Sequence, residues 1–189
     1  MTDAEVLDLF RDSGALLEGH FRLSSGLHSG RYLQSALVLQ YPEMASRLGS
    51  ALAQRTRHLQ ATVVLSPALG GIVIGQEVGR ALNVRAIFAE RQDRALMLRR
   101  GFSLSPSDRV LVVEDVITTG GSTRETIAVA KAHGAVVLGA AVIIDRGADP
   151  TRLNLPLQTL AHLDIPAYPP EGCPLCAKGL PVVKPGSRA

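Results

Sequence analysis

The middle of the chain repeats one pattern: a short apolar run, a turn that contains glycine, and then a helical stretch. The first copy starts at residues 63–65, turns at 66–71 and continues as a helix to about Leu82. The second starts at 110–113 and continues as a helix to about His133, before an apolar run over 136–144. Strands that are apolar on both faces and alternate with helices are typical of parallel sheets covered on both sides. The pattern therefore predicts an α/β fold with a doubly wound, mainly parallel sheet.

Length and composition narrow the classes of protein that fit this pattern. A chain of 189 residues predicts one domain spanning the whole sequence. Apolar residues at 46% and charged residues at 20% exclude collagen-like, disordered and coiled-coil chains. Aromatic residues make up only 4%, which argues against a surface of stacked rings for single-stranded nucleic acid. The formal charge of +3 is only mildly basic.

The two ends of the chain differ from its middle. Thr2 and Glu5 have the spacing of a capping box, so we expect a first helix that continues through Phe10. Residues 15–39 suggest two strands around a polar loop, and Pro42 suggests the start of a helix that reaches about His58. Most of the prolines lie at or beyond position 150, which predicts an irregular end with one edge strand over 157–161.

Residues 110–123 carry the strongest chemical signal. Their sequence, VLVVEDVITTGGST, is a buried strand, two acids, and a turn rich in glycine and hydroxyl groups that opens a helix. In open α/β sheets ligands bind beyond the carboxyl ends of strands, and a helix N-terminus presents backbone N–H groups to phosphate. The segment therefore predicts a phosphate site, although it has neither the Walker nor the dinucleotide spacing.

Glu114 and Asp115 follow the apolar run directly. Within a regular strand they would face opposite sides, and one would be buried as a costly unpaired charge. We therefore expect the strand to end before them and both carboxylates to project into a cleft. There they could hold the hydroxyls of a phosphorylated sugar, or a Mg²⁺ ion near them.

This segment resembles the phosphoribosyl-diphosphate (PRPP) signature of type I phosphoribosyltransferases. Further segments, SSGLHSGRYL, SPALGGIVIG, FAER and VIIDR, are similar to those of orotate phosphoribosyltransferases, over about residues 21–146. The resemblance implies transfer of a 5-phosphoribosyl group from PRPP to orotate, which gives orotidine 5′-phosphate and pyrophosphate in de novo pyrimidine (UMP) synthesis. It also implies a small hood, contributed by about residues 1–40 and 150–189.

The resemblance implies a role for each matching residue. Glu114 and Asp115 correspond to the acidic pair that binds the ribose hydroxyls. The implied PRPP site continues along the chain through Val116, Ile117, Thr118, Thr119, Gly120, Gly121 and Ser122. Thr118 and Arg146 would contact orotate, whose carboxylate suits a guanidinium. Mg²⁺ would be bound mainly through PRPP, without a direct protein ligand that we can name.

The turn at 66–71 corresponds to the turn that faces pyrophosphate in the family, where an unusual peptide bond occurs. Family members often carry a lysine at the position of Gly70 and another near Ser24. Both are absent here. Backbone donors or water would have to replace these charges, and a tight turn without ligand contact is an equal alternative.

Four arginines, Arg91, Arg94, Arg99 and Arg100, lie within ten residues. The resemblance implies a mobile loop here that closes over the active site of the neighbouring subunit in a homodimer. Arg91 and Arg94 are the predicted catalytic arginines, and Arg91 also a PRPP ligand. A lysine and a histidine are expected after Arg94, but the chain has Ala95-Leu96-Met97-Leu98 there. A general-acid histidine is therefore missing. A solvated basic hairpin is the alternative.

Cys173 and Cys176 have the spacing of half a structural zinc site, but the chain has no second cysteine pair. A zinc site completed by a dimer and a redox-active pair are alternatives, and two ordinary thiols in a proline-rich turn are favoured. The five histidines show no metal-binding spacing, and His28, in the predicted hood, is expected to be structural.

No export signal or membrane-spanning run is evident, since the longest apolar run covers only residues 135–144. We therefore expect a cytoplasmic enzyme that binds neither membranes nor nucleic acid. Two alternatives use the same phosphate loop: a purine phosphoribosyltransferase, and a PRPP-sensing regulator that binds nucleic acid.

Overall fold

The computed structural model describes residues 1–23, 25–93, 95–147 and 153–185. Its strands are β1 Leu16–Arg22, β2 His28–Leu33, β3 Val63–Pro67, β4 Arg85–Gln92, β5 Ala95–Leu98, β6 Arg109–Ile117, β7 Val136–Asp145, β8 Leu157–His162 and β9 Ala167–Tyr168. Its helices are α1 Asp3–Asp12, α2 Ala36–Leu39, α3 Pro42–Thr56, α4 Gly70–Leu82, α5 Gly121–Ala132 and α6 Pro174–Ala177. Short 3-10 turns cover Arg57–Leu59 and Pro170–Gly172.

The larger of the two sheets has six strands in the order β5-β4-β3-β6-β7-β8. All neighbouring pairs are parallel except β4 and β5, which form an antiparallel hairpin at one edge. From β3 the chain crosses through α4 to β4 on one side, and from β6 it crosses through α5 to β7 on the other. The strand order therefore reverses between β3 and β6, where open α/β sheets form a ligand crevice. The predicted fold class is confirmed.

Alternating residues of β6 build a core on each face of this sheet. Leu111 and Val113 belong to the core that α1, α3 and α4 cover, whereas Val110 and Val112 belong to the core beneath α5. All four are fully buried. Because both faces are apolar, the run 110–113 shows no alternation of polar and apolar residues, as expected for a central parallel strand.

The first helix confirms its sequence signal. The Glu5 backbone N–H donates to the Thr2 hydroxyl, and the Glu5 carboxylate accepts from the Thr2 backbone N–H, so the capping box is complete. Val6 and Phe10 of this helix are buried in the core of the large sheet. Two short strands, β5 and β9, were not anticipated as separate elements because each is only a few residues long.

The smaller sheet consists of β1, β2 and β9, all antiparallel. The carboxyl end of the chain returns to this sheet, where Val183 forms a bridge with Phe21 of β1. The two ends of the sequence are thereby joined in one substructure beside the large sheet. Within the described ranges, no helix is long and apolar enough to cross a membrane.

Candidate active site

Two turns meet at the carboxyl ends of the central strands. β3 and β6 are neighbours, with Leu65 opposite Val112, so the turns that leave them lie side by side. A side chain on Gly71 would come within 3.1 Å of the Val113 carbonyl oxygen, and one on Gly70 within 2.8 Å of the Asp115 carboxylate. Glycine in the first turn thus lets its backbone approach the end of β6 closely.

The strand β6 is longer than the sequence pattern suggested. It continues through the acids to Ile117, with Glu114 opposite Val142 and Ile117 opposite Asp145 of β7. The prediction that both carboxylates lie beyond the strand end is therefore wrong. As consecutive residues of a strand, they point to opposite faces of the sheet. The burial of Glu114 is tolerated because two hydroxyl groups hydrogen-bond to its carboxylate.

Glu114 is the less exposed of the two acids, and Asp115 is half-buried. The hydroxyls of Ser122 and Thr123, at the start of α5, each donate a hydrogen bond to one of its two carboxylate oxygens. Burial raises the pKa of Glu114; the two hydroxyls oppose this shift, and the nearby charge of Asp115 adds to it. Glu114 therefore fixes the first turn of α5 against the end of β6.

Asp115 lies on the other face, beside the N-terminus of α4. Its carboxylate occupies the space next to Gly70 that a side chain there would need. A side chain at position 70 would therefore require this carboxylate to move. Burial raises the pKa of Asp115.

The N-terminus of α5 has the features of an anion site. Gly120, with φ of +71°, forms the helix cap without a side-chain hydrogen bond, and the first turn contains no acidic residue. Backbone N–H groups of a first helical turn have no acceptor within the helix, and the helix dipole favours an anion beside them. Thr118 and Thr119, in the loop, are exposed. Val116 and Ile117 pack their side chains against the two cores, so only their backbone faces the crevice.

Arg146 directly follows β7, and its backbone N–H donates to the Ile117 carbonyl over 3.0 Å. Its Nε atom is buried, with no hydrogen-bond partner among the described residues. Burial lowers the pKa of the guanidinium, while Tyr32 of the small sheet and Asp164 oppose the shift. A half-buried guanidinium with an unused donor is suited to bind a carboxylate.

The turn after β3 contains a cis peptide bond between Ala68 and Leu69. It lies in the segment where the resemblance placed an unusual peptide bond. The Ala68 backbone N–H donates to the Ala89 carbonyl over 2.8 Å, and the Leu69 side chain is exposed. The turn is thus anchored to β4 and open to solvent beside the crevice.

The arginine-rich segment contains the antiparallel pair of β4 and β5, which agrees with the alternative of a basic hairpin. On β5, Leu96 is buried between the exposed residues Ala95 and Met97, so at least this apolar residue serves packing. Arg91 forms an ion pair with Glu125 of α5 at 2.7 Å, and Arg100 pairs with Glu90 at 2.9 Å. Arg99 is exposed, and Arg94 lies outside the described residues.

Four neighbours of the predicted site residues were not found from the sequence: Ser35, Thr123, Tyr32 and Asp164. Thr123 follows the glycine turn directly, so a search one residue further along α5 would have included it. The other three approach from distant parts of the chain, and no spacing rule indicates them.

Comparison with known proteins assigns the family. The family model described as "Phosphoribosyl transferase domain" matches residues 35–155. This range contains both turns, the acidic pair, the arginine-rich segment and Arg146.

The chain is 52% identical to the orotate phosphoribosyltransferase of Chlorobaculum parvum over 189 residues, which is 100% of this chain and 98% of that protein. It is also similar to the crystal structure of orotate phosphoribosyltransferase from Aeropyrum pernix. That similarity has a TM-score of 0.68 and 26% identity, over 84% of this chain and 93% of the other. The same fold occurs in the Mycobacterium tuberculosis orotate phosphoribosyltransferase in complex with PRPP, with a TM-score of 0.67, 22% identity, and coverage of 85% and 96%.

Proposed function

This chain belongs to the phosphoribosyltransferase family, and we propose that it transfers the 5-phosphoribosyl group of PRPP to orotate. The products are orotidine 5′-phosphate and pyrophosphate, in de novo pyrimidine synthesis. The observation that carries this proposal is the crevice between β3 and β6. Near this crevice lie the N-terminus of α5, the Asp115 carboxylate and the Arg146 guanidinium, whose Nε has no hydrogen-bond partner among the described residues.

The N-terminus of α5 would bind the 5′-phosphate of PRPP. Backbone N–H groups of its first turn provide donors, and Thr118 and Thr119 add hydroxyls at the rim. Ser122 contributes indirectly, since its hydroxyl already donates to Glu114. This hydrogen bond would hold the phosphate loop in place before the substrate arrives. Such preorganisation lowers the entropic cost of binding.

The two acids then have different parts. Asp115, at the N-terminus of α4, would accept hydrogen bonds from the ribose hydroxyls. Glu114 has hydroxyl partners on both oxygens, so its first role is to hold α5 in place. A carboxylate can accept about four hydrogen bonds, so Glu114 keeps capacity for a ribose hydroxyl as well.

Orotate would bind between the crevice and the small sheet. Arg146 would hold its carboxylate through the guanidinium donors, with Thr118 close to the base. Purine bases lack that carboxylate and would leave the half-buried guanidinium without its partner. This chemistry favours orotate over adenine or guanine.

Mg²⁺ fits this donor set as an ion held mainly by the substrate. The hydroxyl contacts of Glu114 and the position of Asp115 beside Gly70 leave few direct carboxylate ligands. Mg²⁺ commonly keeps several waters and binds substrate phosphates with one or two carboxylates. When bound with PRPP it would neutralise charge on the departing pyrophosphate.

The reaction breaks the bond between ribose C1′ and the pyrophosphate oxygen, forms a bond from C1′ to N1 of orotate, and releases the N1 proton to the departing pyrophosphate or to water. Positive charge develops on the ribose ring as the pyrophosphate takes the bonding electron pair. The carboxylate of Asp115 would stabilise that charge and hold the sugar in place. No covalent enzyme intermediate is needed.

A homodimer in which Arg91 and Arg94 reach the neighbouring active site remains part of this proposal. Arg91 pairs with Glu125, in the helix that follows the phosphate loop, so the hairpin is already attached to the site. Because this ion pair is exposed, it contributes only about 0–1 kcal/mol and could exchange for a phosphate contact. A cytoplasmic location without membrane or nucleic-acid partners completes the proposal.

An absorbance assay tests the function directly. With PRPP and Mg²⁺, orotate absorbance should fall only when all three components and the enzyme are present. Adenine and guanine are the comparison substrates, and removal of Mg²⁺ tests the metal requirement. Turnover of a purine base without turnover of orotate would contradict the substrate assignment. PRPP binding without turnover of any base would favour a regulator.

A further inference from the structure

Four potential metal ligands converge in the small sheet, away from the crevice. They are His20 of β1, His28 of β2, and Cys173 and Cys176 at the start and inside of α6. One ligand atom from each lies within 4.8 Å of every other. Three of the four residues are buried, and both cysteines are free thiols.

The distances within this His/Cys cluster resemble the edges of a tetrahedron. His20 Nε2 lies 2.9 Å from His28 Nδ1, 3.6 Å from Cys173 Sγ and 3.7 Å from Cys176 Sγ. Cys176 Sγ lies 3.2 Å from His28 Nδ1. Zn–N bonds of about 2.0–2.1 Å and Zn–S bonds of about 2.3 Å place tetrahedral ligand atoms about 3.3–3.8 Å apart. Small movements of these side chains would therefore accommodate the ion.

The Leu180 carbonyl fixes which nitrogen of His20 is available. His20 Nδ1 lies 2.8 Å from that oxygen, and a carbonyl can only accept, so Nδ1 carries the proton. In a neutral imidazole Nε2 is then unprotonated and faces the cluster. A metal-bound histidine commonly donates its other N–H in this way, which fixes the ring and its tautomer.

Without a metal ion the hydrogen bonds of the cluster are poorly matched. If His28 Nδ1 is protonated, it competes with two thiols for the single lone pair of His20 Nε2. If it is unprotonated, two nitrogen lone pairs face each other at 2.9 Å. A cation among the four groups removes both conflicts, since all four then act as electron-pair donors.

The local structure aims His20 into the cluster. The register of β1 against β2 shifts between Glu18 and Phe21, so the consecutive residues His20 and Phe21 are both buried. Such a bulge redirects a side chain relative to a regular strand. From the opposite side, the short helix α6 presents the Cys-x-x-Cys pair.

Part of the small sheet lies outside the two hydrophobic cores. Phe21 and Cys173 are buried but belong to neither hydrophobic core. The chain beyond β9 contacts β1 through the His20–Val183 and Arg22–Val183 backbone hydrogen bonds. A metal site is a common way to stabilise a structure with so small a core.

We propose that His20, His28, Cys173 and Cys176 form a structural zinc site that fastens the carboxyl end of the chain to the small sheet. Binding releases the two thiol protons, and two thiolates balance the charge of Zn²⁺. Sulfur and imidazole ligands in a tetrahedral set favour zinc over magnesium or calcium. Four protein ligands close the coordination sphere, so the ion has no position for a substrate.

Metal analysis of the reduced, full-length protein tests this proposal without any variant. We expect about one zinc per chain. After removal of the metal, Co²⁺ should produce tetrahedral d–d bands and a thiolate-to-cobalt charge-transfer band, which Zn²⁺ then abolishes. Absence of these bands would overturn the proposal. So would a metal-free protein whose mass is lower by two hydrogen atoms, because that indicates a disulfide.

Variants locate the site. His28→Gln and Cys176→Ser should each weaken zinc affinity on the order of 100-fold or more and lower the Tm by roughly 5–10 °C. His133→Gln, which changes an exposed histidine at the carboxyl end of α5, is the matched control and should retain the metal. Unchanged zinc content in both cluster variants would place the metal elsewhere and contradict the assignment. Cys176→Ser changes an exposed residue, so it remains informative if His28→Gln does not fold.

Discussion

The crevice and the His/Cys cluster are both groups of buried polar side chains, but they have opposite effects on stability. The acids of the crevice lower the stability of the fold, whereas the cluster, with its ion bound, would raise it. In the crevice, burial raises the pKa of Glu114 and Asp115, so their charges are held at a cost in stability. In the cluster, two histidines and two cysteines surround a position where a cation would join three segments of the chain. On our two proposals, the crevice keeps charge ready for a substrate, whereas the cluster stabilises the fold.

The largest expected effect is on turnover. Asp115→Asn removes the charge that faces the developing positive charge of the ribose, so we expect kcat to fall about 10²–10³-fold with the fold intact. Glu114→Gln should cause a smaller loss, because its first role is to hold Ser122 and Thr123. Steady-state kinetics with circular dichroism as the folding control measures both. Near-normal kcat in Asp115→Asn would contradict the catalytic role proposed for the crevice.

Arg146 provides the next effect, specific to one substrate. Hydrogen bonds to charged groups contribute about 1.5–3 kcal/mol, so Arg146→Met should raise the KM for orotate roughly 10–150-fold. The KM for PRPP should change little. Arg47→Met, on the exposed face of α3, is the matched control. An equal rise in both KM values would indicate a general disturbance of the site.

Gly120 tests the cap of α5. Its φ of +71° is costly for any other residue, so Gly120→Ala should destabilise the protein by about 1–2 kcal/mol. It should also raise the KM for PRPP several-fold, since the helix N-terminus would shift. Gly14→Ala shares the positive φ, at +68°, and has open space around its Cβ. If both variants change the KM for PRPP equally, the cap has no specific role in phosphate binding.

The smallest effect concerns stability and pH. Because burial raises the carboxyl pKa of Asp115, the folded state binds this proton more tightly than the unfolded state. The free energy of unfolding therefore falls as the pH rises from the ordinary carboxyl pKa through the raised value, and stays reduced above it. Asp115→Asn removes this loss, so its Tm should exceed that of the parent by about 2–4 °C at neutral pH for each ~1 kcal/mol regained.

In acid, below the ordinary carboxyl pKa, Asp115 is protonated in both the folded and the unfolded state. The higher Tm of Asp115→Asn relative to the parent should then disappear. Thermal unfolding at neutral and acid pH measures the difference. A gain in Tm that is equal at both pH values would show that charge burial is not its cause.

The two regions also differ in how far the sequence predicts them. The acids, the glycine turn and the start of α5 are consecutive in the chain, so their spacing alone indicates a phosphate site. The sequence also indicates Arg146, because this residue directly follows β7, the strand next to β6. The bounds of β6 were predicted wrongly, since the hydroxyls that satisfy Glu114 come from the following helix.

The His/Cys cluster joins residues from opposite ends of the chain. Cys173 and Cys176 indicate half a site, and the sequence analysis favoured ordinary thiols because no second pair was evident. His20 and His28 lack a metal-binding spacing, since one lies at a strand bulge and the other on the neighbouring strand. Only the pairing of β1, β2 and the carboxyl end brings them together.

Turnover and zinc content, measured on the same preparations of Asp115→Asn and Cys176→Ser, test the separation of the two regions most directly. Asp115→Asn should lose turnover and retain about one zinc per chain. Cys176→Ser should lose its zinc and, while folded at low temperature, retain kcat within about twofold. Zinc loss in Asp115→Asn, or unchanged zinc content in Cys176→Ser, would contradict two independent polar regions with separate roles.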